Sequence, residues 1–406
     1  MHLTDEEKRM LAGEEGEAVR LAMQLLTKIG EVYGAERMVP VRSVHAGCVY
    51  PHFGAAVEMM EKFADLGGKF RAVTTANPIL NPCSYDLWPE LQEPGELKKA
   101  AVRQINAICK MGVIPNWSCT PYFQGNIPRL GEPAAWEESS AVIFVNSVLG
   151  GRTNRTTPGM DVASAIAGRT AEFGLLLDEN RVGNALVKLE FQPKSLFDYG
   201  TVGFIIGKAL GGKVPVIEGL SPGTTANQLK AMGAAIAIRG GIALYHAIGI
   251  SPEARTKEDA FQGRKPELEM NIREKDVKAA VEELNTIREG RIDAVVTGCP
   301  HATVGEMREL AELLNGKKVR QDIHFCLFAA GDAINWARQM GYIDVIEAAG
   351  VKIFEGDCIV FHSTKAWGWK NVATDSAKYA CILPSNPTNL NVRYTDIREC
   401  IALATD

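Results

Sequence analysis

The feature that most constrains the fold is a regular alternation of amphipathic helical segments with short β-prone runs that end in loops. This alternation is typical of α/β proteins, in which helices cover largely parallel sheets. In such sheets ligands bind beyond the carboxyl ends of the strands, so the functional residues are expected in those loops. The predicted strands are 38–44, 69–78, 184–190, 213–219, 292–300, 316–325 and 350–361. The predicted helices are 4–34, 55–68, 94–110, 132–149, 225–247, 302–315 and 333–349.

The composition is that of a globular protein of enzyme size. The chain has 406 residues, of which 46% are hydrophobic and 23% charged. The net charge of −5 argues against a general nucleic-acid-binding surface, which needs a basic balance. The N-terminal stretch is charged from Asp5 onward without a signal-peptide core, and no run of about 18 apolar residues occurs. We therefore expect a cytoplasmic protein that binds neither nucleic acid nor a membrane.

Three of the nine cysteines stand on turns beside Pro or Gly: Cys119 in WSCTPY, Cys299 in TGCPHAT and Cys358 in EGDCIVF. Thiolates in this setting suit a soft metal or an iron–sulfur cluster, whereas the alternative is a buried apolar filler. No CxxC pair occurs, which disfavours a zinc ribbon or a thioredoxin-type pair. An odd number of cysteines at low density also disfavours a disulfide framework. Cys48 and Cys83 are loop residues whose role stays open.

Two histidines follow predicted strands, His45 in SVHAGC and His301 in GCPHAT, and both are candidates for substrate contact or proton transfer. The segment NSVLGGRTNR predicts a helix that ends at Gly-Gly and then presents Arg152, Thr153, Asn154 and Arg155 in a row. Arg and Asn side chains can hold a carboxylate or phosphate, although a solvated loop after a helix is the alternative. The chain has no Walker, GxGxxG or HExxH pattern, so nucleotide-binding and zinc-protease functions are unsupported.

Together these segments resemble the large subunit of aconitase X, a branch of the aconitase superfamily. The resemblance covers nearly the whole chain, in order. It implies that residues 1–406 form the catalytic region, an aconitase-like α/β architecture of several lobes with an iron–sulfur cluster at their junction. The matching stretches are LTDEEKRMLAGEEGEAVRLAM, SVHAGCVY, CTPYFQGNIPRLGEPAAWEESSAVIFVNSVLGGRTNR, LKAMGAAIAIRGGIALYHAIGISPEA, TGCPHAT, GDCIVF and TDSAKYACILP.

The resemblance also implies a ligand set and a site. Cys119, Cys299 and Cys358 would hold the cluster, which is expected to be 4Fe–4S, or 3Fe–4S or 2Fe–2S in the isolated protein. Three protein ligands leave one iron open as a Lewis acid for the leaving hydroxyl. The catalytic candidates are His45, Arg152, Asn154 and His301. The substrate-binding candidates are Ser43, Thr75, Asn77, Asn146, Ser147 and Thr153.

The family places its general base, a serine, on a swivelling domain that this chain is expected to lack, so a small subunit would supply it. Bacterial members resemble cis-3-hydroxy-L-proline dehydratases, and archaeal members resemble phosphomevalonate dehydratases that form trans-anhydromevalonate 5-phosphate. SVHAGCVY and EVYGAERMVPV favour the hydroxyproline type. The loop TTANPILNPCSYDLW departs from the TTLNVG-like loop of that type, so another small hydroxy acid stays open. The alternative from a different class is a non-catalytic iron–sulfur sensor or binding protein.

Overall fold

The computed structural model describes residues 1–47, 54–82, 84, 88, 91, 93–287, 290–385 and 387–405. It confirms the α/β prediction, because three sheets are built from parallel strands. The first sheet has the order Val73–Ala76, Ser43–Ala46, Ala134–Trp136. The second has the order His246–Ala247, Pro215–Glu218, Ala185–Leu189, Leu268–Ile272. The third has the order Lys352–Glu355, His324–Ala329, Ala294–Ala302, Asn371–Thr374, Asn391–Tyr394.

Helices cover these sheets, and a short antiparallel pair joins Met38–Pro40 to Arg169–Ala171. None of the described helices is long and apolar enough to cross a bilayer. The helices before the second sheet are Asp5–Ala12, Glu17–Val32, Gly54–Asp65, Gly95–Met111, Ser139–Phe144 and Met160–Ala167. Those around the second sheet are Leu196–Ala209, Ala226–Gly240, Lys257–Phe261 and Glu274–Leu284. Those around the third are Val304–Leu314, Gly331–Gln339, Tyr342–Ala348, Ala377–Ile382 and Ile397–Ala404.

Four predicted helices differ from the structure. The predicted helix 333–349 is two helices separated at Gly341, which has a φ of 78°, and the predicted helix 225–247 ends at Gly240. The predicted helix 4–34 is two helices, because Gly13 adopts a left-handed φ of 88° and ends the first one. The predicted helix 132–149 begins as the strand Ala134–Trp136, which pairs with Ser43–Ala46 before the helix starts. A strand of three residues is too short for its period to be read from sequence.

A shared core joins the second sheet's helices to the third sheet. The helix Leu196–Ala209 packs so closely on the next helix that a Cβ on Gly203 would lie 2.2 Å from the carbonyl oxygen of Met232. This close approach requires a glycine. Phe204 of the same helix lies in one buried cluster with Phe328 of the third sheet. This packing fixes the helices of the second sheet against the third sheet.

Candidate active site

A cavity of about 530 Å³ is lined by residues that follow strands of the first and third sheets. The predicted ligands Cys119, Cys299 and Cys358 all line this one cavity, although up to 239 positions separate them in the sequence. Parallel strands bring residues that are distant in sequence to one edge, which is why the loops meet here. The other polar or charged residues that line the cavity are Asn77, Glu137, Glu138, Ser139, Arg155 and Lys378.

The backbone before Cys299 is shaped for a close approach between neighbouring strands. Gly298 has a φ of 89°, and a Cβ at this position would lie 2.1 Å from the carbonyl oxygen of Phe328. Only glycine meets both requirements without strain. The pairing of this strand with its neighbour also shifts register between Thr297 and Ala302. Cys299 therefore leaves the regular ladder at the point where it reaches the cavity.

Burial keeps all three thiols protonated in the absence of a metal. It raises the pKa of Cys119 to about 12 and that of Cys358 to about 11, and it raises the pKa of Cys299 well above its ordinary value. The charge of Lys378 opposes this effect at each thiol. The backbone N–H of His301 also donates to Sγ of Cys119 at 3.1 Å. Such thiols become ligands when a metal replaces their protons.

The donor set fits an iron–sulfur cluster better than a single ion. No group of three or more His, Cys, Asp or Glu side chains in the described part of the chain is arranged to hold one metal ion. Three thiols instead surround a cavity, and thiolates that receive N–H···S hydrogen bonds, as Cys119 does, are the usual environment of a cluster. The residues present therefore fit the group that the resemblance implies.

An ion pair between Glu138 and Lys378 joins the first and third sheets at the cavity. Glu138 caps the helix Ser139–Phe144, and its Oε2 accepts the N–H of Ala141 at 2.8 Å and the hydroxyl of Ser140 at 2.5 Å. Burial alone would raise the pKa of Glu138, but Lys378 and these donors hold it below its ordinary value. The pair is therefore ionised, and it places a fixed cation beside the thiols.

His45, Thr75 and Asn77 come together at the ends of two neighbouring strands. Nδ1 of His45 lies 2.9 Å from Oγ1 of Thr75, which also accepts from Nδ2 of Asn126 at 2.8 Å. Burial lowers the pKa of His45 to about 4, although Glu138 favours the charged form, so the ring is neutral near pH 7. Asn77 lines the cavity, and its buried Oδ1 has no hydrogen-bond partner among the described residues.

Ser43 and His301 are engaged by the protein and are not among the cavity-lining residues. The hydroxyl of Ser43 donates to Oδ1 of Asn126 at 2.6 Å and accepts from Nε1 of Trp136 at 2.8 Å. Nε2 of His301 lies 2.8 Å from the carbonyl oxygen of Asp357 and donates to it. Burial lowers the pKa of His301 to about 4, so this ring is neutral as well.

Asn146, Ser147 and Thr153 lie near one another, but none of them lines the cavity. Nδ2 of Asn146 donates to the carbonyl oxygen of Thr153 at 2.9 Å, and its Oδ1 accepts the Thr153 N–H at 3.1 Å. Nη1 of Arg181 donates to the same Oδ1 at 3.1 Å. The hydroxyl of Ser147 accepts the N–H of Tyr245 at 2.9 Å. The structure thus places these side chains in bonds that fix the backbone after the helix.

Arg152 and Asn154 point to other partners, whereas Arg155 lines the cavity. Arg152 forms an ion pair with Asp178. Nδ2 of Asn154 donates to the carbonyl oxygen of Phe173 at 2.9 Å. These contacts fix the segment that presents Arg155.

Three charged residues of the cavity were not selected from the sequence: Glu137, Glu138 and Lys378. Arg155 was noted in the polar segment after the helix, but Arg152 was chosen there as the site residue. The predicted helix 132–149 concealed the two glutamates, because it placed them inside a helix when they in fact follow a strand. Lys378 and both glutamates lie within stretches that carry the resemblance, which was the available signal. Cys48 and Cys83 lie outside the described residues, as do residues 85–87 of the loop TTANPILNPCSYDLW.

Three family models match the chain in succession. They are the aconitase X first domain over residues 1–179, the second domain over 183–282 and the third domain over 292–406. A crystal structure titled as the holo-form of aconitase X from Thermococcus kodakaraensis is similar to this chain with a TM-score of 0.89 and 35% identity. That similarity covers 100% of both chains.

Curated relatives carry two activity names. A phosphomevalonate dehydratase large subunit from Methanocaldococcus jannaschii is 39% identical over 95% of this chain and 96% of its own length. The corresponding protein from Thermococcus kodakarensis is 36% identical over 99% of each chain. A cis-3-hydroxy-L-proline dehydratase from Pseudomonas aeruginosa is 32% identical over 98% of this chain and 69% of its own length. With its predicted resemblance thus confirmed, the chain belongs to the aconitase X family, as the large subunit of a dehydratase.

Proposed function

We propose that this chain is the large subunit of an iron–sulfur-dependent hydro-lyase in which Cys119, Cys299 and Cys358 bind the cluster. The observation that carries the proposal is that these three thiols line one cavity with two cations, Arg155 and Lys378. A sensor or binding protein would not require cations beside the cluster site. When bound, a cluster with three protein ligands supplies a Lewis-acidic iron.

The residues of this chain hold and orient the substrate. Arg155 and Lys378 bind its anionic groups, because a guanidinium and an ammonium at one cavity can each form charge-assisted hydrogen bonds to carboxylate or phosphate. Asn77 offers its unpartnered amide oxygen to a substrate donor. Arg152 and Asn154 act as positioning residues, because their bonds fix the loop that presents Arg155.

The proton beside the substrate carboxylate is removed by a partner subunit. The relatives named large subunits imply a small-subunit partner. We propose that this small subunit carries a serine as the base and closes the cavity. The neutral rings of His45 and His301 hold nearby backbone and hydroxyl groups in place.

Mevalonate 5-phosphate is the substrate that we propose first. The relatives named phosphomevalonate dehydratase large subunits reach 39% identity over nearly their full lengths. The relatives named hydroxyproline dehydratases reach 32%, and this chain spans 69% of their length. The sequence prediction put cis-3-hydroxy-L-proline first, and the motifs SVHAGCVY and EVYGAERMVPV keep it as the second candidate.

The test is anaerobic purification of this chain with its small subunit, followed by dehydratase assays on both compounds. Iron, sulfide and the visible spectrum are measured on the same sample. We expect turnover of mevalonate 5-phosphate and bound iron. Cys119→Ala, Cys299→Ala and Cys358→Ala should each lose both.

The matched control is Cys109→Ala, because Cys109 is exposed on a helix and does not line the cavity. This variant should keep its iron and its activity. Turnover of cis-3-hydroxy-L-proline alone would replace the first substrate with the second. An iron-free protein from an oxygen-free preparation would contradict the proposal as a whole.

A further inference from the structure

The carboxyl groups of Glu137 and Asp161, beside the cavity, both contact Gly47. The backbone N–H of Gly47 donates to Oδ2 of Asp161 at 2.5 Å. A Cβ atom added to Gly47 would lie only 1.7 Å from Oε2 of Glu137, so the Glu137 carboxyl packs directly against the Gly47 backbone. Glu137 lines the cavity that contains the three thiols, whereas Asp161 is fully buried.

The surroundings of the two carboxyls decide which one keeps a proton. Asp161 accepts three backbone N–H groups, from Gly47 at 2.5 Å, Val162 at 2.7 Å and Gly159 at 2.8 Å. Such donors stabilise a carboxylate, and the first turn of a helix adds to the effect. The Glu137 side chain has no hydrogen bond to another described residue. Of the two, Asp161 is therefore the ion and Glu137 the acid.

The charged groups that act on Glu137 reinforce this assignment. Burial and then the charges of Asp161 and Glu138 raise the pKa of Glu137 well above its ordinary value, and only Arg155 acts in the opposite direction. Burial raises the pKa of Asp161 only to about 6, because the backbone donors oppose it. His45, whose carbonyl accepts the Glu137 N–H at 3.2 Å, is neutral. Burial, the neighbouring charges and the lack of hydrogen-bond donors among the described residues thus all favour the protonated form of Glu137.

We propose that Glu137 is the proton donor to the leaving hydroxyl group, with Asp161 and Gly47 as its positioning residues. This inference rests on the proposed function. In the step, the C–O bond breaks and the hydroxyl takes the Glu137 proton to leave as water. The partner's base takes the proton from the adjacent carbon, whose C–H electron pair forms the new double bond. Glu137 ends as a carboxylate and regains its proton from solvent.

The test compares Glu137→Gln with wild type in the cluster-loaded two-subunit enzyme. Glutamine keeps the shape but cannot act as the acid, so kcat should fall by about 10² to 10⁴-fold while KM changes little. Glu137→Asp keeps the carboxyl group on a side chain one methylene shorter, so it should retain more kcat than Glu137→Gln. Infrared spectra at neutral pH should show a protonated carboxyl band that is absent in Glu137→Gln.

A second variant tests the pairing by a shift in the pH profile. The acid works when protonated, so kcat should fall as pH rises through the pKa of Glu137. Asp161→Asn removes the charge that raises this pKa, so the fall should move to lower pH. Glu61→Gln, at a surface ion pair, is the control and should match wild type.

The outcomes separate this inference from the proposed function. If wild type is active and Glu137→Gln is equally active with the same pH profile, Glu137 is not the proton donor. The proposed dehydratase function would still hold. If Glu137→Gln does not fold, an unshifted profile in Asp161→Asn overturns it instead. A cluster-loaded wild type that dehydrates neither compound refutes the proposed function, and the inference with it.

Discussion

Polar side chains at the cavity and those of the network around Arg181 are both largely buried, but they differ in whether every hydrogen-bonding group has a partner. We call Asn146, Thr153, Arg181 and Glu253 the Arg181 network. Arg181 is 2% exposed and donates to Glu253 at 3.0 Å, to Asn146 and to backbone carbonyls. At the cavity, by contrast, the buried Oδ1 of Asn77 has no hydrogen-bond partner among the described residues.

The contrast separates structural polar residues from functional ones. A buried polar group without a partner costs free energy, so proteins keep such groups mainly where a ligand will complete them. A saturated network stabilises the fold and has little capacity left for substrate. Substitutions in the Arg181 network should therefore change stability, and those at the cavity should change catalysis.

Arg181→Met should have the largest effect and should act on stability. It removes the nearer cation of the partly buried Glu253 carboxylate, leaving Arg152 at 3.6 Å, and it takes the donor from buried backbone carbonyls. Together these losses should cost about 3 to 5 kcal/mol in the free energy of unfolding. Urea unfolding of the large subunit measures this change. Arg37→Met, at an exposed pair with Glu172, is the control and should cost under about 1 kcal/mol. Equal losses of unfolding free energy in Arg181→Met and Arg37→Met would show that the buried network contributes no more to stability than a surface ion pair.

Arg155→Gln should act on substrate binding and not on stability. Losing one charge-assisted contact is worth about 1.5 to 3 kcal/mol, so KM should rise by about 10 to 100-fold. Arg155 is exposed at the cavity, so the free energy of unfolding should stay within about 0.5 kcal/mol of wild type. Steady-state kinetics with urea unfolding on the same preparation measures both. An unchanged KM would mean that Arg155 does not contact the substrate.

Acid should weaken the cavity region through His45. Its pKa is about 4 in the folded protein, against 6.5 for an ordinary histidine, because of burial. Only the unfolded chain binds this proton between those values, so stability is lost as pH falls below 6.5, by about 2 kcal/mol at pH 5. Unfolding of wild type and His45→Gln from pH 7 to 5 measures the difference. Parallel losses in both proteins would show that His45 does not contribute.

Arg152→Gln should have the smallest effect. Its partner Asp178 is 76% exposed, and its second partner Glu253, at 3.6 Å, keeps the closer cation Arg181, so the lost ion pairs should cost about 1 kcal/mol or less in stability. Because Arg152 positions the loop but does not line the cavity, KM should rise much less in Arg152→Gln than in Arg155→Gln. Kinetics of the two variants side by side decide the matter. A larger KM change in Arg152→Gln would reverse the assignment of the substrate-binding arginine.

Much of the fold could be predicted because its signals are local. Alternating helical and strand-like segments indicated parallel sheets, and the structure confirms them. Boundaries failed where a non-local contact decides, as for Ala134–Trp136, which becomes a strand only by pairing with Ser43–Ala46. The helix Leu196–Ala209 was not predicted, because its all-round burial leaves it without an amphipathic period.

The order of residues was enough to predict the α/β class and the aconitase X family, and it singled out Cys119, Cys299 and Cys358, which line one cavity although Cys299 lies within a strand and not on a turn. The tertiary structure decided which polar side chains reach the cavity. Arg152, Asn146 and Arg155 look equivalent in the sequence, but distant partners occupy the first two. Lys378 meets Glu138 across 240 positions, a pairing that no local pattern encodes. The reason is physical: whether a polar group is free for a ligand depends on what the fold brings to it.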